Sequence, residues 1–292
     1  MWEQLAISLI SGLGVGSMYG LTALGFHVTY RVSKTVNFAQ GTCLMLAAVL
    51  GFTLQVSKQW PPLAAYLAAL IVCAAWSAFV ELIAVRPFVQ RQSDAWLMAT
   101  LALGLILENA VLFLFGKDPR GMPSGLQDIY LSMFGLRVSF LQALIPLVGL
   151  LMAWALTWFL KNTKNGKALM AVSLNVDAAS IVGINTRQVI TWSYALAGVL
   201  AGLAGLMIAP LYTVSAGMGT LFGIKAFAAA ILGGIDSAAG VMLAGVLMGL
   251  IESLIITALG STYAQMFSFG LTIAVLCIKP NGLLGRMAIK KI

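Results

Sequence analysis

The sequence is poor in charge and in the residues that build enzyme sites. Only 9% of its 292 residues are charged, against about 25% in soluble domains. The chain has one histidine and three cysteines, with no CxxC pair and no Cys/His cluster at metal-ligand spacing. No GxxxxGK[ST] phosphate-binding loop is present. The sequence therefore indicates no catalytic site, no metal site and no cofactor, and this chain is not expected to hydrolyse a nucleotide by itself.

The sequence is rich instead in long runs of apolar residues. Hydrophobic residues make up 61% of the chain, and its mean hydropathy is +0.98. A helix needs roughly 20 apolar residues to cross about 30 Å of hydrocarbon, where lipid cannot pair with an open backbone. The sequence predicts an all-α, polytopic transmembrane bundle, one domain over 1–292, with eight or nine segments. The segments are predicted at 5–29, 36–56, 62–83, 94–116, 138–160, 189–212, 224–235, 238–258 and 262–279.

One predicted segment, 224–235, is shorter than a crossing helix. At about 1.5 Å per residue it covers roughly 18 Å, so it either re-enters from one side or crosses as a tilted piece that ends at Gly233 and Gly234. A broken helix at membrane depth must face protein or water. Crossing is preferred, because re-entry would move the C-terminal tail away from the side that the basic residues favour.

The basic residues are distributed unevenly between the two sides. If the loop 161–188 and the tail after 278 are cytoplasmic, 12 of the 17 Lys and Arg residues fall inside, four fall outside and Lys225 lies within a span. Cytoplasmic loops carry such an excess. The sequence therefore predicts an outside N-terminus and a cytoplasmic C-terminus. Because the charges are dispersed near the ends of apolar runs, they do not indicate a nucleic-acid groove.

Small residues recur at helical spacing in three places. The stripes are Gly12, Gly16 and Gly20; Gly198 and Gly202; and Gly245 and Gly249. Small residues let helix backbones approach closely where lipid gives helices no hydrophobic reason to associate. Together the stripes predict a dense bundle.

Three ionisable residues within the spans are candidates to line a pathway: Glu108, Lys225 and Glu252. A charged group at a helix centre costs about 2.5–3.5 kcal/mol on insertion scales. Pairing Lys225 with either glutamate would lower this cost, and the pair would either face an outward vestibule or serve only as a structural ion pair. Glu81, near the inner end of its span, is expected to reach toward water beside Arg86.

The remaining reactive side chains are interpreted as packing residues. His27 lies in an apolar stretch without a nearby carboxylate. Cys43, Cys73 and Cys277 each lie inside an apolar run.

The segment YRVSKTVNFAQG (30–41) brings polar residues into the start of a span. Asn37 can cap a helix with its side-chain oxygen, and Gly41 lets another backbone come close. Two interpretations stay open for 37–41: a gate or pathway, and a helix cap with a packing site.

The segment NGKALMAVSLNVDAASIVGIN (165–185) predicts a slim helix between two spans. It has a glycine start, a short helical pattern and a stop at Gly183. Alanine favours such a helix, and Asp177, near the first turn of its second helical piece, is favourable for the helix dipole. An exposed helix of this kind can fit a cleft on a soluble partner and transmit the partner's motion to the flanking spans.

Taken together, these stretches resemble the permeases of branched-chain amino-acid ABC importers, in particular the Liv-type H subunit. DAASIVG (177–183) is similar to the importer coupling pattern EAAxxxG, with Asp177 in place of Glu. The other similar stretches, in the family's order, are YRVSKTVNFAQG, ELIAVRPFVQR, ATLALGLILEN, GIKAFAAAILGGIDSAAG and KPNGLLGR.

The resemblance implies a multi-pass subunit of the bacterial inner membrane, with a periplasmic N-terminus and a cytoplasmic C-terminus. The implied partners are a second, homologous permease, two cytoplasmic ATPases and a periplasmic substrate-binding protein. The implied coupling site is Asp177, Ala178, Ala179 and Gly183 in the cytoplasmic loop 161–188. The implied translocation path includes Asn37, Phe38, Gln40 and Gly41, which match the family's NFAHG stretch.

The chain departs from the family pattern at two points. Gln40 stands where the family commonly has His, and Met170 and Leu174 stand where the approach to the coupling turn is commonly more charged. The second departure indicates that the contacts with the ATPase are altered, or that they depend less on charge.

The expected substrates are leucine, isoleucine, valine or related small amino acids and amides, among which this chain does not choose. The alternative is an ion-coupled secondary transporter or channel, in which Glu108, Lys225 and Glu252 would couple ion flow. A structural membrane scaffold is a third hypothesis.

Overall fold

The computed structural model describes residues 2–123, 130–133, 136–279 and 282–285. Its helices are α1 (Trp2–Ser33), α2 (Gln40–Phe52), α3 (Pro62–Val80), α4 (Arg86–Gln90), α5 (Trp96–Phe115), α6 (Phe140–Asn162), α7 (Lys164–Leu174), α8 (Val176–Ile181), α9 (Thr186–Ile208), α10 (Met218–Gly233), α11 (Ala238–Leu259) and α12 (Ser261–Ile278). The π-helical turns Thr53–Ser57 and Glu81–Val85 extend α2 and α3. Strands β1 (Tyr130–Met133) and β2 (Leu136–Ser139) form an antiparallel hairpin.

The predicted polytopic helical bundle with one short segment is confirmed. Within the described residues, seven helices are long and apolar enough to cross a membrane, and α10 is a shorter apolar helix of 16 residues. The helix α12, of 18 residues, occupies the predicted segment 262–279. Of the basic residues expected in the cytoplasmic tail, Arg286, Lys290 and Lys291 lie outside the described residues, as do Pro280 and Asn281 of the KPNGLLGR stretch.

Several predicted boundaries differ from the structure by up to six residues. The span predicted at 36–56 becomes helical only at Gln40, because Asn37 bonds the backbone of the preceding turn. The span predicted at 138–160 begins at Phe140, since the two residues before it pair in the hairpin. The short segment begins at Met218, six residues earlier than predicted.

Helix α1 lies at the centre of the bundle and packs against α6, α9, α10 and α11. Its glycine stripe meets the stripe of α11 backbone to backbone. A Cβ added to Gly16 would lie 2.7 Å from the Cα of Val246, and one added to Gly245 would lie 2.5 Å from the Cα of Gly20. The close approach predicted from these glycines is confirmed, and only glycine fits at this contact.

The glycine stripe of α9 packs on α3 in the same way. A Cβ added to Gly202 would lie 3.2 Å from the Sγ of Cys73. Cys73 is buried and donates its S–H to the backbone carbonyl of Cys43, also buried, at 3.3 Å. The packing role is confirmed for these two cysteines. It was wrong for Cys277, which is exposed, because α12 lies at the edge of the bundle, against α11 and α10.

The helix α10 begins beside Met45 of α2, inside the bundle, and runs toward the C-terminal end of α1. Helix α9 starts beside the C-terminal end of α1, where the Tyr194 hydroxyl bonds Thr35 at 2.7 Å, and runs away from it. Helix α10 returns, so that a Cβ added to Gly233 would lie 2.6 Å from the Cα of Val241 at the start of α11. Sixteen residues cover about 24 Å. This is shorter than a hydrocarbon core of about 30 Å, and the crossing stays a prediction.

Candidate translocation and coupling sites

The chain between α1 and α2 turns back into the bundle before it becomes helical. Lys34 has a φ of +56°, which turns the chain after α1. The side-chain Oδ1 of buried Asn37 accepts from the N–H of Ala39 at 3.0 Å, and its carbonyl accepts from the N–H of Gln40 at 3.0 Å. Asn37 thus closes the turn before α2 and does not cap the first turn of the helix itself.

Gln40 fixes the start of α2 between α1 and α9. Its side chain is fully buried, and its Nε2 donates to the carbonyl of Ala197 at 2.7 Å. A Cβ added to Gly25 would overlap the Gln40 amide, so a larger residue there would displace this side chain from its hydrogen bond. Among the described residues, Asn37 Nδ2 and Gln40 Oε1 have no hydrogen-bond partner.

A cavity of about 210 Å³ lies beside the first turns of α2, between α5 and α10. Two of the candidate path residues, Phe38 and Gly41, line it. At its floor α2 and α10 touch, since a Cβ added to Gly41 would lie 2.7 Å from the Cα of Gly223. The other lining residues are Phe26, Thr42, Leu101, Gly104, Leu105, Gly219, Thr220, Ile224 and Phe227. The lining is therefore largely apolar, with two hydroxyls.

Glu108 lies next to this cavity. The hydroxyl of Thr220, which lines the cavity, donates to Glu108 Oε2. Glu108 is half-buried and lies one helical turn beyond Gly104 and Leu105 on α5. A carboxylate thus joins α5 to α10 next to an apolar cavity, which it reaches through Thr220.

Lys225 and Glu252 lie on the other side of α10. Their charged atoms, Nζ and Oε1, are 2.5 Å apart, and both side chains are buried. The hydroxyl of Tyr19 donates to Glu252 Oε2 at 2.9 Å. The predicted pairing of Lys225 with a glutamate is confirmed, and the partner is Glu252. The three ionisable candidates are not brought together, because the pair faces α1 and α11 and Glu108 is beside the cavity.

The prediction that Glu81 reaches toward water was wrong. Glu81 is 2% exposed, and Arg86 donates to both of its oxygens, Nε to Oε1 at 3.0 Å and Nη2 to Oε2 at 2.9 Å. The hydroxyl of Thr191 on α9 donates to Oε2 at 2.9 Å. These three donors replace the hydrogen bonds that water would have made.

His27 occupies a packed position, as expected. It is fully buried, and its Nδ1 lies 2.6 Å from the carbonyl of Ile235, in the turn between α10 and α11. Because a carbonyl only accepts, Nδ1 carries the proton.

The loop 161–188 contains two short helices, each begun by a side-chain cap. The Oγ1 of Thr163 accepts from the N–H of Gly166 at 3.0 Å and begins α7. The Oδ1 of Asn175 accepts from the N–H of Ala178 at 3.0 Å and begins α8, with Asp177 in the first turn. The interpretation of this segment as a slim helix between two spans is confirmed.

The C-terminal ends of α7 and α8 present a largely apolar surface outward. Leu174, Ile181 and Val182 are 83%, 84% and 74% exposed. Asp177 and Ala178 are exposed as well, whereas Ala179 is buried and packs back on the chain. Gly183 ends the turn with a φ of +85°. Sequence analysis noted Leu174 but missed Ile181 and Val182, for which aliphatic residues in a loop between two spans were the available signal.

The architecture defines a class: a polytopic α-helical membrane protein with a short apolar helix packed against its central helix, a cavity beside the short helix and a projecting helical loop. A family model described as "Branched-chain amino acid transport system / permease component" matches residues 8–276. The chain belongs to this family of transport permeases.

The most similar relatives include permeases of named transport systems. The chain is 33% identical over 297 residues to the high-affinity branched-chain amino acid transport system permease protein BraD of Pseudomonas aeruginosa, covering 97% of each chain. It is 29% identical to LivH of Escherichia coli K12, covering 97% of this chain and 96% of the relative. A probable LivH permease of Methanocaldococcus jannaschii is 30% identical, covering 91% and 88%.

A solved structure shares the fold. PsaBC from Streptococcus pneumoniae in complex with Fab matches with a TM-score of 0.51 and 14% identity, covering 94% of this chain and 91% of the other. This similarity concerns the arrangement of the helices.

Proposed function

We propose that this chain is the membrane-spanning permease subunit of an ATP-driven importer of the bacterial inner membrane. Its substrates would be leucine, isoleucine, valine or related small amino acids and amides. It would pair with a second, homologous permease, two cytoplasmic ATPases and a periplasmic binding protein. The names of the relatives support this proposal, and the loop 161–188 would be the cytoplasmic point of contact with an ATPase.

The observation that carries the proposal is the exposed apolar surface at the C-terminal ends of α7 and α8. Leu174, Ile181 and Val182 project from the end of the bundle where α7 and α8 lie, and leaving them in water is unfavourable by about 25 cal/mol per Å². Exposed apolar groups at such a place indicate a protein partner. With Asp177, Ala178, Ala179 and Gly183 they would form the coupling site.

The connections of α8 suit it to transmit force. The N–H of Ile184 donates to the carbonyl of Ala179 at 3.1 Å, and Asn185 caps α9 through the N–H of Gln188 at 3.2 Å. On the other side, Gly166 packs directly on Leu160 of α6, where a Cβ would lie 2.6 Å from the Leu160 Cα. A displacement of α8 therefore reaches α6 and α9 through short, bonded turns.

The cavity between α5 and α10 would be part of the path. Phe38 and Gly41 line it, and Asn37 and Gln40 fix the turn and the helix start beside it. In this proposal Lys225 and Glu252 hold α10 against α1 and α11, and they contact no substrate.

Reconstitution tests the proposal and its main alternative. The chain, placed in liposomes with its three kinds of partner, should take up leucine, isoleucine or valine only when ATP is present. Uptake by this chain alone, driven by an ion gradient, would favour a secondary transporter and would contradict the proposal.

A pair of variants tests the coupling surface. Ile181→Asp combined with Val182→Asp should reduce ATP-driven uptake at least tenfold while the isolated chain keeps its thermal stability, since both side chains are mostly exposed. Ile181→Leu, which keeps an apolar side chain, is the matched control. Normal uptake by the double aspartate variant would show that this apolar surface is not needed for coupling to the ATPase.

A further inference from the structure

Glu108 differs from the other carboxylates at membrane depth. In the part of the chain that the structure describes, the membrane-spanning helices hold Glu81, Glu108 and Glu252. Glu81 is paired with Arg86, and Glu252 with Lys225. Glu108 contacts no described cation and accepts a hydrogen bond from the hydroxyl of Thr220. A charge placed in a span is costly, and in transport proteins such groups are typical of substrate or ion pathways.

The surroundings of Glu108 stabilise a negative charge without neutralising it. Thr220 is in the first turn of α10, which begins at Met218. A Cβ added to Gly217, the residue before that helix, would lie 3.9 Å from Glu108 Oε1. The carboxylate therefore lies at the positive end of the α10 dipole, which amounts to roughly half an elementary charge. A full positive charge is still lacking.

The cavity beside Glu108 has the complementary chemistry. It is lined mainly by apolar side chains, among them Phe26, Phe38, Leu101 and Phe227. Its volume of about 210 Å³ is below the roughly 300–1,000 Å³ of pockets for drug-sized ligands. A small molecule with an aliphatic portion and one cationic group matches both the cavity and the carboxylate beside it.

We propose that Glu108 and this cavity form a transient subsite for an aliphatic amino acid, in which the carboxylate binds the ammonium group and the cavity takes the side chain. This inference rests on the proposed import function and deepens it. The ammonium supplies the countercharge that the described chain does not, and Thr220 holds the carboxylate in place. A ligand of the same shape without the ammonium would leave Glu108 unpaired and would bind weakly.

The test uses ligand protection of a single cysteine in the complete transporter without ATP. Ile224, which lines the cavity and is 51% exposed, is replaced by Cys in a Cys277→Ser background, since Cys43 and Cys73 are buried. Three probes are compared: leucine, leucinamide, which keeps the ammonium, and 4-methylpentanoate, which lacks it. Leucine and leucinamide should slow labelling by a thiol reagent, and 4-methylpentanoate should not.

The variant Glu108→Gln tests the contribution of the negative charge of Glu108. Its amide oxygen can still accept from Thr220, so the link between α5 and α10 is kept while the negative charge is lost. It should require at least tenfold more leucine for the same protection. The control Leu114→Met, at an 89% exposed position of the same helix, leaves Glu108 and Thr220 unchanged and should stay within about threefold of the parent protein.

Each outcome has a distinct meaning. Unchanged leucine protection in the Glu108→Gln variant, equal protection by 4-methylpentanoate, or no protection by any probe in the parent would overturn the subsite. Uptake by the parent transporter is measured in parallel. If branched-chain amino acids are taken up with ATP but do not protect the cysteine from labelling, the subsite is rejected and the proposed function stands. If they are not taken up, the proposed function is contradicted whatever the labelling shows.

Discussion

The ammonium of Lys225 and the carboxylate of Glu252 are 2.5 Å apart inside the bundle, where Tyr19 adds a hydrogen bond. The pair joins α10 to α11, and Tyr19 attaches both to α1. This arrangement ties the shortest membrane helix to the central one.

Breaking the pair from one side should destabilise the protein. Lys225→Met leaves the carboxylate of Glu252 buried without its countercharge, and such changes cost about 3–5 kcal/mol. The apparent Tm in detergent should fall clearly. The double variant Lys225→Met with Glu252→Leu removes both charges and should recover most of the loss. A double variant as unstable as the single one would show that the pair is not the cause.

The contact between α1 and α11 should distinguish two glycines of the same helix. In Gly16→Ala the new Cβ would lie 2.7 Å from the Cα of Val246, so the two helices must separate, at a cost of about 1–3 kcal/mol. In Gly14→Ala the nearest atom, the carbonyl oxygen of Gln142, is at 3.8 Å, and the helix gains up to about 1 kcal/mol. Thermal unfolding of the two variants should therefore shift in opposite directions. Equal shifts would contradict the backbone contact.

The turn after α8 should require a residue that tolerates positive φ. Gly183 has a φ of +85° with no atom within 4 Å of an added Cβ, so Gly183→Ala creates backbone strain of about 1–2 kcal/mol and no clash. Hydrogen exchange in α8 should become faster. Gly183→Asn, a residue that visits this region more easily, should show a smaller effect. Identical exchange in the two variants would argue against strain as the cause.

The cap of α8 should control the order of that helix. Asn175→Ala removes the oxygen that accepts from Ala178 N–H, a loss of about 1 kcal/mol. Asn175→Asp keeps an acceptor at the same place and should preserve α8. Hydrogen exchange over 176–181 measures the difference. If both variants exchange alike, the cap is not what holds the helix.

The sequence predicts the helical bundle well, because apolar length and helical glycine spacing are local signals. It places the start of α10 too late, since Gly219, Thr220 and Gly223 are weak helix formers. In the structure that region is helical because small residues there allow α10 to pack on Gly41. Packing across the bundle outweighs local propensity at this point.

The buried polar contacts could not be predicted in the same way. Glu81 receives a hydrogen bond from Thr191, and Glu108 receives one from Thr220, each more than one hundred positions away. No periodicity within one helix indicates such a partner. For Lys225 the sequence offered two glutamates, and only the helix arrangement selects Glu252.

The end of α10 depends on a part of the chain that is made much later. The N–H groups of Leu283 and Leu284 donate to the carbonyls of Leu232 and Gly233 at 2.7 and 3.1 Å. These donors lie some fifty residues downstream of the acceptors. A ribosome adds about 5–20 residues per second, so the donors are synthesised several seconds after the acceptors. During that time the C-terminal carbonyls of α10 lack these hydrogen-bond donors. The packing of this helix end is therefore completed among the last steps of biogenesis.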